Sequence, residues 1–373
     1  MLKRENLIII LALTFGVFVS LSCQPKTVSS QETSNLAKVT PTPTASNDKE
    51  PLTIAAVGDI MLGSTSIDET FLPPNDGADI LKEVTPILSK ADIAFGNLEG
   101  PLLEGGKTEK CPPNATRCFA FRVPTRYGKL LKNAGFDVLS LANNHAGDFG
   151  EYGRESTRKT LDALGIKHAG SDKLQFAMTI IESKGKRIAF IGFAHNDIVP
   201  NVNDLTFAKQ LVEQANKKAD LVVVSFHGGA EGVDQQHVPN RTEMLGTEKR
   251  GNLPLFARTV IDAGADLVLG HGPHVLRGME IYKDRLINYS MGNFATYGMF
   301  TLKAETALTA IFEIKLAPDG KFLRGKIYAG KQTGRGGPVL DSSGDAIRKV
   351  RELSIADFGA NAPKIDDDGS FTK

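Results

Sequence analysis

The chain has 373 residues, 41% of them hydrophobic and 23% charged, enough to bury one large core or two moderate ones, which excludes a chain disordered throughout. Its 44 basic residues against 43 acidic ones leave a net charge of +1. No global field therefore attracts nucleic acid or an anionic surface, and an anionic ligand has to be held locally.

Residues 1–23 read as a targeting signal. Lys3 and Arg4 precede an apolar run from Leu7 to Leu21, shorter than the ~20 residues that span a bilayer. The stretch SLSC closes the run at Cys23 and resembles a bacterial lipoprotein signal, in which the cysteine becomes the lipidated N-terminus. It departs from that pattern at Ser20, where leucine is usual, with Leu21 one place late. An ordinary cleaved signal peptide and an uncleaved anchor are the alternatives. Residues 24–50 are rich in Ser, Thr and Pro and are expected to form a flexible tether. The protein is thus expected outside the cytoplasm, attached to the cell membrane. Cys111 and Cys118, in KCPPNATRCF, flank a short Pro-rich loop and are expected to pair in an exported chain. A metal site there would need further cysteines or a nearby histidine.

Strands and helices then alternate. LTIAAVGD reads as a strand, ILKEVTPILSKA as a helix despite Pro86, DIAFGN as a strand, and TRYGKLLKNAG as a helix closed by glycine. FDVLSLANN reads as a strand and YGRESTRKTLDALG as a helix ending at Gly165. KRIAFIGFA, ADLVVVSFHGG and ADLVLGHG are further buried strands, with the helices NDLTFAKQLVEQANKKA and LPLFARTVIDAG before the last two. This alternation implies an α/β fold. After Gly270 shorter strands joined by Lys-Asp and Asp-Gly turns suggest added antiparallel pairing. A helix, GDAIRKVRELSIADF, and a frayed acidic tail complete residues 341–373.

Chemistry collects at the carboxyl ends of five apolar strands, where α/β sheets bind ligands. They present Asp59; Asn97 and Glu99; Asn143, Asn144, His145 and Asp148; His227; and His271 with His274. Imidazole combined with carboxylate and amide oxygen suits Zn, Mn or Fe better than Ca or Mg alone. A lone strand-end histidine is usually structural, but four of the seven histidines fall at these ends. His195 also follows a strand and stays open as a lining residue, whereas His168 and His237 read as ordinary.

GDIMLG, GNLEG, NNHAGDFG, HGGAE, GHGPHV and INYSMGNF, in this order, resemble the capsule synthesis protein CapA family, also called the poly-gamma-glutamate biosynthesis family, within the calcineurin-like metallophosphatase superfamily. The resemblance implies a four-layer sandwich, two central β-sheets flanked by helices, over residues 51–340, with a two-metal site at one edge. It implies Asp59 and His274 as ligands of a first metal, Glu99 as the bridge, and Asn144, His227 and His271 as ligands of a second. His145 becomes the general acid. Asp148 either orients His145 or caps the helix starting near Glu151. Asn97, Asn143, Glu231, Ser290 and Asn293 are the expected substrate contacts; orienting the ligating imidazoles or forming a turn are the alternatives for Ser290 and Asn293. Arg122, Arg126 and Arg277 are candidates for gripping an anion.

The chain departs from the superfamily at Met61, where the Asp-x-His motif has its histidine, so the first metal site is expected to be weak or empty. Gly228 and Gly229 replace the usual Trp-Gly, and Gly272 a common histidine. The resemblance implies a divalent-metal-dependent hydrolase acting on an anionic surface polymer, such as poly-gamma-glutamate or capsule polysaccharide, or on a phosphoester. The other reading is a non-catalytic accessory subunit that works beside membrane synthase subunits and binds polymer through the metal site.

Overall fold

The computed structural model describes residues 50–108, 110–111 and 118–373. The expected signal, with the expected lipidation site Cys23, and nearly all of the expected tether lie outside the described residues. In chain order the first half comprises β1 (Leu52–Met61), α1 (Thr85–Leu88), β2 (Ile93–Leu98), α2 (Gly128–Ala134), β3 (Val138–Ser140), α3 (Gly150–Ala163) and β4 (Lys167–Ala169). β1 to β4 lie side by side and parallel. The chain then crosses to a second sheet through β5 (Met178–Ser183), β6 (Lys186–Ala194), α4 (Leu205–Asn216) and β7 (Leu221–His227). A small ribbon, β8 (Glu243–Leu245) and β9 (Glu248–Gly251), precedes α5 (Leu253–Asp262), β10 (Leu267–His271), β11 (Met279–Tyr282) and β12 (Arg285–Asn288). β13 (Asn293–Thr296) returns to pair with β1, and β14 (Leu308–Leu316), β15 (Phe322–Gln332) and β16 (Pro338–Leu340) extend the first sheet. α6 (Asp345–Phe358), β17 (Lys364–Ile365) and β18 (Ser370–Thr372) end the chain.

The first sheet has ten strands, with β17-β18-β15-β14-β1-β2-β3-β4 as its main path; the second has six in the order β11-β12-β10-β7-β6-β5. Apolar side chains alternate across β1: Ile54 and Ala56 face the second sheet in one buried cluster with Phe190, Val223 and Leu269. Ala55 and Val57 face outward and pack with Leu131 of α2 and Leu161 of α3. On the far side Val222 and Val268 pack on Val212 of α4 and Phe256 of α5. Helices, sheet, sheet and helices thus make the four layers that the resemblance implied. Strands covered on both faces read as continuous apolar runs, which is why the sequence shows no polar alternation in them.

Three local expectations change. The helix predicted through Pro86 is only Thr85–Leu88, because proline lacks an N–H and its ring blocks the carbonyl four residues back, confining it to a first turn. The strand predicted over FDVLSLANN is only Val138–Ser140. The acidic tail is no frayed end. β17 and β18 form a hairpin on β15, with Phe371 buried and stacked on Phe322 at 5.3 Å.

Candidate metal centre

β1 and β13 approach so closely that a Cβ on Gly58 would lie 1.9 Å from the Gly292 carbonyl oxygen, so only glycine fits there. Asp59 N donates to that carbonyl at 2.9 Å, and the register slips between Asp59 and Ile60. The irregularity re-aims the Asp59 side chain into the crevice. Asn97 Nδ2 donates to Asp59 Oδ1 at 2.8 Å, and Asn97 Oδ1 accepts from Asn143 Nδ2 at 3.1 Å. Asn143 Nδ2 also donates to the Leu98 carbonyl at 2.9 Å, while Asn143 Oδ1 accepts from the His145 N–H at 3.0 Å. Both amides are at most 1% exposed. Predicted as substrate contacts, Asn97 and Asn143 instead fix β1, β2 and the β3–α3 loop relative to one another.

The second sheet delivers His227 and His271 from the ends of adjacent parallel strands, directly paired in the ladder. His274 follows in a left-handed turn at φ 60°. Its Nδ1 lies 3.1 Å from Asn293 Oδ1, and Asn293 Nδ2 donates to the Thr306 carbonyl at 3.2 Å. With Nδ1–H held by Asn293, Nε2 is the nitrogen left to bind a ligand. Asn293 therefore orients an imidazole rather than substrate. Ser290, also predicted to meet substrate, is fully buried. Its hydroxyl donates to the Val275 carbonyl at 2.7 Å and accepts from Gly292 N at 3.2 Å, which braces the loop carrying His274.

Glu99 Oε1 is the hub of the crevice, 3.7 Å from His274 Nε2, 3.8 Å from His145 Nε2 and 3.9 Å from His227 Nε2, all too long to hydrogen-bond. Asp59 Oδ1 lies 3.2 Å from His271 Nδ1 and Oδ2 3.1 Å from His274 Nδ1, neither pair aligned as a hydrogen bond. Ligand atoms of Asp59, Glu99 and His274 all fall within 4.8 Å of one another, so this trio forms a possible metal site. That is the set expected to be depleted by Met61. Among the described residues, sixteen buried side-chain polar atoms lack a hydrogen-bond partner. Six of them belong here: Asp59 Oδ2, both Glu99 oxygens, His227 Nε2 and both His271 nitrogens. Buried polar groups are otherwise almost always paired, and this donor set suits a divalent cation.

The electrostatics agree. Burial, the largest influence on Asp59, opposes its ionisation, yet His271 and His274 together hold it well below the usual carboxylate range. Burial pushes the Glu99 carboxyl up, and the attraction of His274 only partly offsets it. Burial also works against protonation of His274, but Glu99 and Asp59 outweigh it and raise that imidazole. Burial keeps His227 neutral, well below its ordinary value. Ionised Asp59 thus pairs with a cationic His274 while Glu99 tends to hold its proton, and a divalent ion would supply the positive charge that lets Glu99 ionise.

His145 sits at the rim with a different set of partners. Its Nδ1 lies 2.7 Å from Asp148 Oδ2, and its ring stacks on Phe121 at 4.1 Å. Burial lowers its pKa, with Asp148 opposing. Asp148 makes no cap to α3, whose N-cap is Phe149 without a side-chain bond. It orients His145 instead. Asn144, next in sequence, keeps its Oδ1 buried without a partner and lines a cleft of about 720 Å³ with Lys110, His195, Asn196, Ile198 and Lys249.

Other candidates have structural partners. Glu231 pairs with Arg250, which is 1% exposed and also lies 3.2 Å from His195 Nε2. His195 Nδ1 lies 3.4 Å from the His227 carbonyl, so His195 backs the site; burial and then Arg250 push its pKa down to about 4. Arg122 donates to the Gly105, Gly106 and Thr65 carbonyls, Arg126 to exposed Asp76, and Arg277 to buried Glu243. None is free for an anion. His168 and His237 lie elsewhere, beside Asp162 and Asp357. Lys110, Phe121 and Arg250 are the residues that sequence reasoning missed. The bracketing cysteines were the one signal near the first two.

Buried carboxylates, imidazoles and amides gathered on the strand ends of a two-sheet α/β sandwich define a candidate metal centre. The profile of the family described as bacterial capsule synthesis protein PGA_cap matches residues 53–297. The chain is 31% identical over 330 residues to the capsule biosynthesis protein CapA of Bacillus anthracis, covering 84% of this chain and 75% of that one. It is 32% identical over 286 residues to the PGA biosynthesis protein CapA of Bacillus subtilis (strain 168), covering 73% and 70%. The chain belongs to this capsule and poly-gamma-glutamate biosynthesis family. A crystal structure of a hypothetical protein from Thermus thermophilus overlays with a TM-score of 0.46 at 17% identity, over 76% of this chain and 100% of that one. Among the described residues no helix is long and apolar enough to cross a membrane.

Proposed function

We propose that the protein is a divalent-metal-dependent hydrolase of the cell surface, acting on an anionic polymer or phosphoester in capsule or poly-gamma-glutamate production. The observation that carries this reading is the set of six orphaned buried polar atoms on Asp59, Glu99, His227 and His271. Asp59, Glu99 and His274 hold one ion, and Asn144, His227 and His271 are the donors available to a second beside Glu99. When bound, Mn, Zn or Fe supplies Lewis acidity at the crevice. His145, oriented by Asp148, donates a proton to the leaving group from Nε2. The cleft beside Asn144 is the route by which a polymer reaches these groups. Residues 1–23 export the chain, Cys23 anchors it, residues 24–50 tether the domain of residues 51–340, and membrane synthase subunits are its partners.

Metal analysis of the purified protein is expected to find at least one Mn or Zn per chain, and less in His227→Ala. Equal, near-zero content in both would sink the metal reading. His145→Ala is expected to abolish surface-polymer production while retaining metal. Met61, buried where the superfamily has a histidine, favours the second reading, a non-catalytic accessory subunit that binds polymer. Full polymer production by His145→Ala would establish that reading over the hydrolase.

A further inference from the structure

Asp148 is gripped from two sides by a single covalent loop. Cys111 and Cys118 are disulfide-bonded with Cα atoms 5.5 Å apart. From the arm leading into Cys111, Lys110 Nζ donates to Asp148 Oδ1 and, at 3.2 Å, to the Asn144 carbonyl. Thr108 Oγ1 on the same arm donates to the Asp148 carbonyl. From the arm leaving Cys118, Phe121 N donates to Asp148 Oδ2 at 2.7 Å, the oxygen that also faces His145 Nδ1. The Phe121 ring covers the His145 ring at 4.1 Å. Among the described residues, every hydrogen bond that holds the Asp148 carboxylate, His145's own apart, therefore comes from one arm or the other.

We propose that the Cys111–Cys118 disulfide is a clamp that sets His145, with Lys110 and Phe121 as its positioning residues. This rests on the reading of His145 as the proton donor. Lys110 is exposed, and the cluster beneath the clamp is small: Leu103, Ala120 and Phe149, with Cys111 packed on it. Segments with so little apolar burial open locally at low cost. A crosslink where the arms diverge removes that freedom and keeps both grips on Asp148 at once. The carboxylate then has one position, and so does the imidazole it orients.

The test compares the wild type with Cys111→Ser/Cys118→Ser, Lys110→Met and Lys110→Arg, all metal-loaded, in amide hydrogen exchange and in hydrolysis of phenyl against p-nitrophenyl phosphate. The Phe121 amide is expected to exchange about tenfold faster in the double serine variant and in Lys110→Met. Metal content should stay at the wild-type level, and Lys110→Arg should behave as wild type. kcat is expected to fall more for the phenyl ester, whose poor leaving group needs the proton, than for the p-nitrophenyl ester, with KM little changed. A disulfide that merely stabilises the fold would lower Tm without moving that ratio. Wild-type protection at Phe121 in a folded variant overturns the clamp. Should the double variant not fold, Lys110→Met is read the same way. If the wild type cleaves neither ester the hydrolase reading falls, and exchange at Phe121 still decides the clamp.

Discussion

Replacing Glu99 by glutamine should stabilise the metal-free protein and abolish its response to metal. Glu99 is fully buried and neither of its oxygens has a hydrogen-bond partner. The nearest group able to carry positive charge is His274 Nε2 at 3.7 Å, and the same imidazole lies 3.1 Å from Asp59 through Nδ1. One imidazolium compensates only one of the two buried carboxyls, so Glu99 has to hold its proton at neutral pH, at a net cost of about 2 kcal/mol. The isosteric neutral amide removes that cost, so Glu99→Gln in EDTA should melt about 3 °C above wild type. Burial holds the Glu99 carboxyl above its ordinary 4.5. A carboxyl raised by folding binds its proton more readily folded than unfolded, so its ionisation erodes stability as pH climbs past that ordinary value. The advantage of Glu99→Gln should vanish near about pH 4 and grow through neutrality. Scanning fluorimetry in EDTA across pH, followed by Mn titration, checks both parts. Wild type should gain about 2.7 kcal/mol at 100 times the Kd, and Glu99→Gln nothing. A metal-free Glu99→Gln protein less stable than wild type at neutral pH would refute the reasoning.

Asn293→Ala should weaken metal binding about 10- to 100-fold, read by competition with a chromophoric chelator, because His274 loses the acceptor that fixes its tautomer. Phe371→Ala should lower stability by about 3 kcal/mol in urea denaturation, where a frayed tail would show about 0.5 kcal/mol or less. Arg277→Met leaves Glu243 buried and unpaired and should cost about 3 kcal/mol; adding Glu243→Gln should recover much of it, measured as a double-mutant cycle.

The layered α/β architecture was legible because strands such as LVVVSFH and LVLGH carry unbroken apolar runs that only a doubly covered sheet requires. The crevice was legible for the same reason: a buried strand ending in Asp59, Glu99, His227 or His271 has nowhere bland to put them. What escaped were residues whose roles depend on partners distant in the chain. Lys110 and Phe121 reach Asp148 across 38 and 27 positions. Arg250 reaches Glu231 across a ribbon that no periodicity announces. Asn97, Asn143 and Ser290 carry the polar look of substrate contacts, but burial makes them braces. Met61 left Asp59, Glu99 and His274 as the obvious ligands of the first set, and these are the trio drawn together; the left-handed turn at His274 brings in an imidazole that spacing alone could not orient.

β1 enters the sandwich at Leu52 and delivers Asp59 seven residues later, 59 minus 52. At about 3.3 Å per residue the crevice opens roughly 23 Å from the point where the chain comes in. Leu52 and Asp59 therefore mark opposite ends of β1, the entry of the strand and the crevice. Under the proposed function, with a tether ahead of Leu52 and a polymer handled at the crevice, β1 is a stand-off that sets how much free polymer end is needed before the crevice engages it.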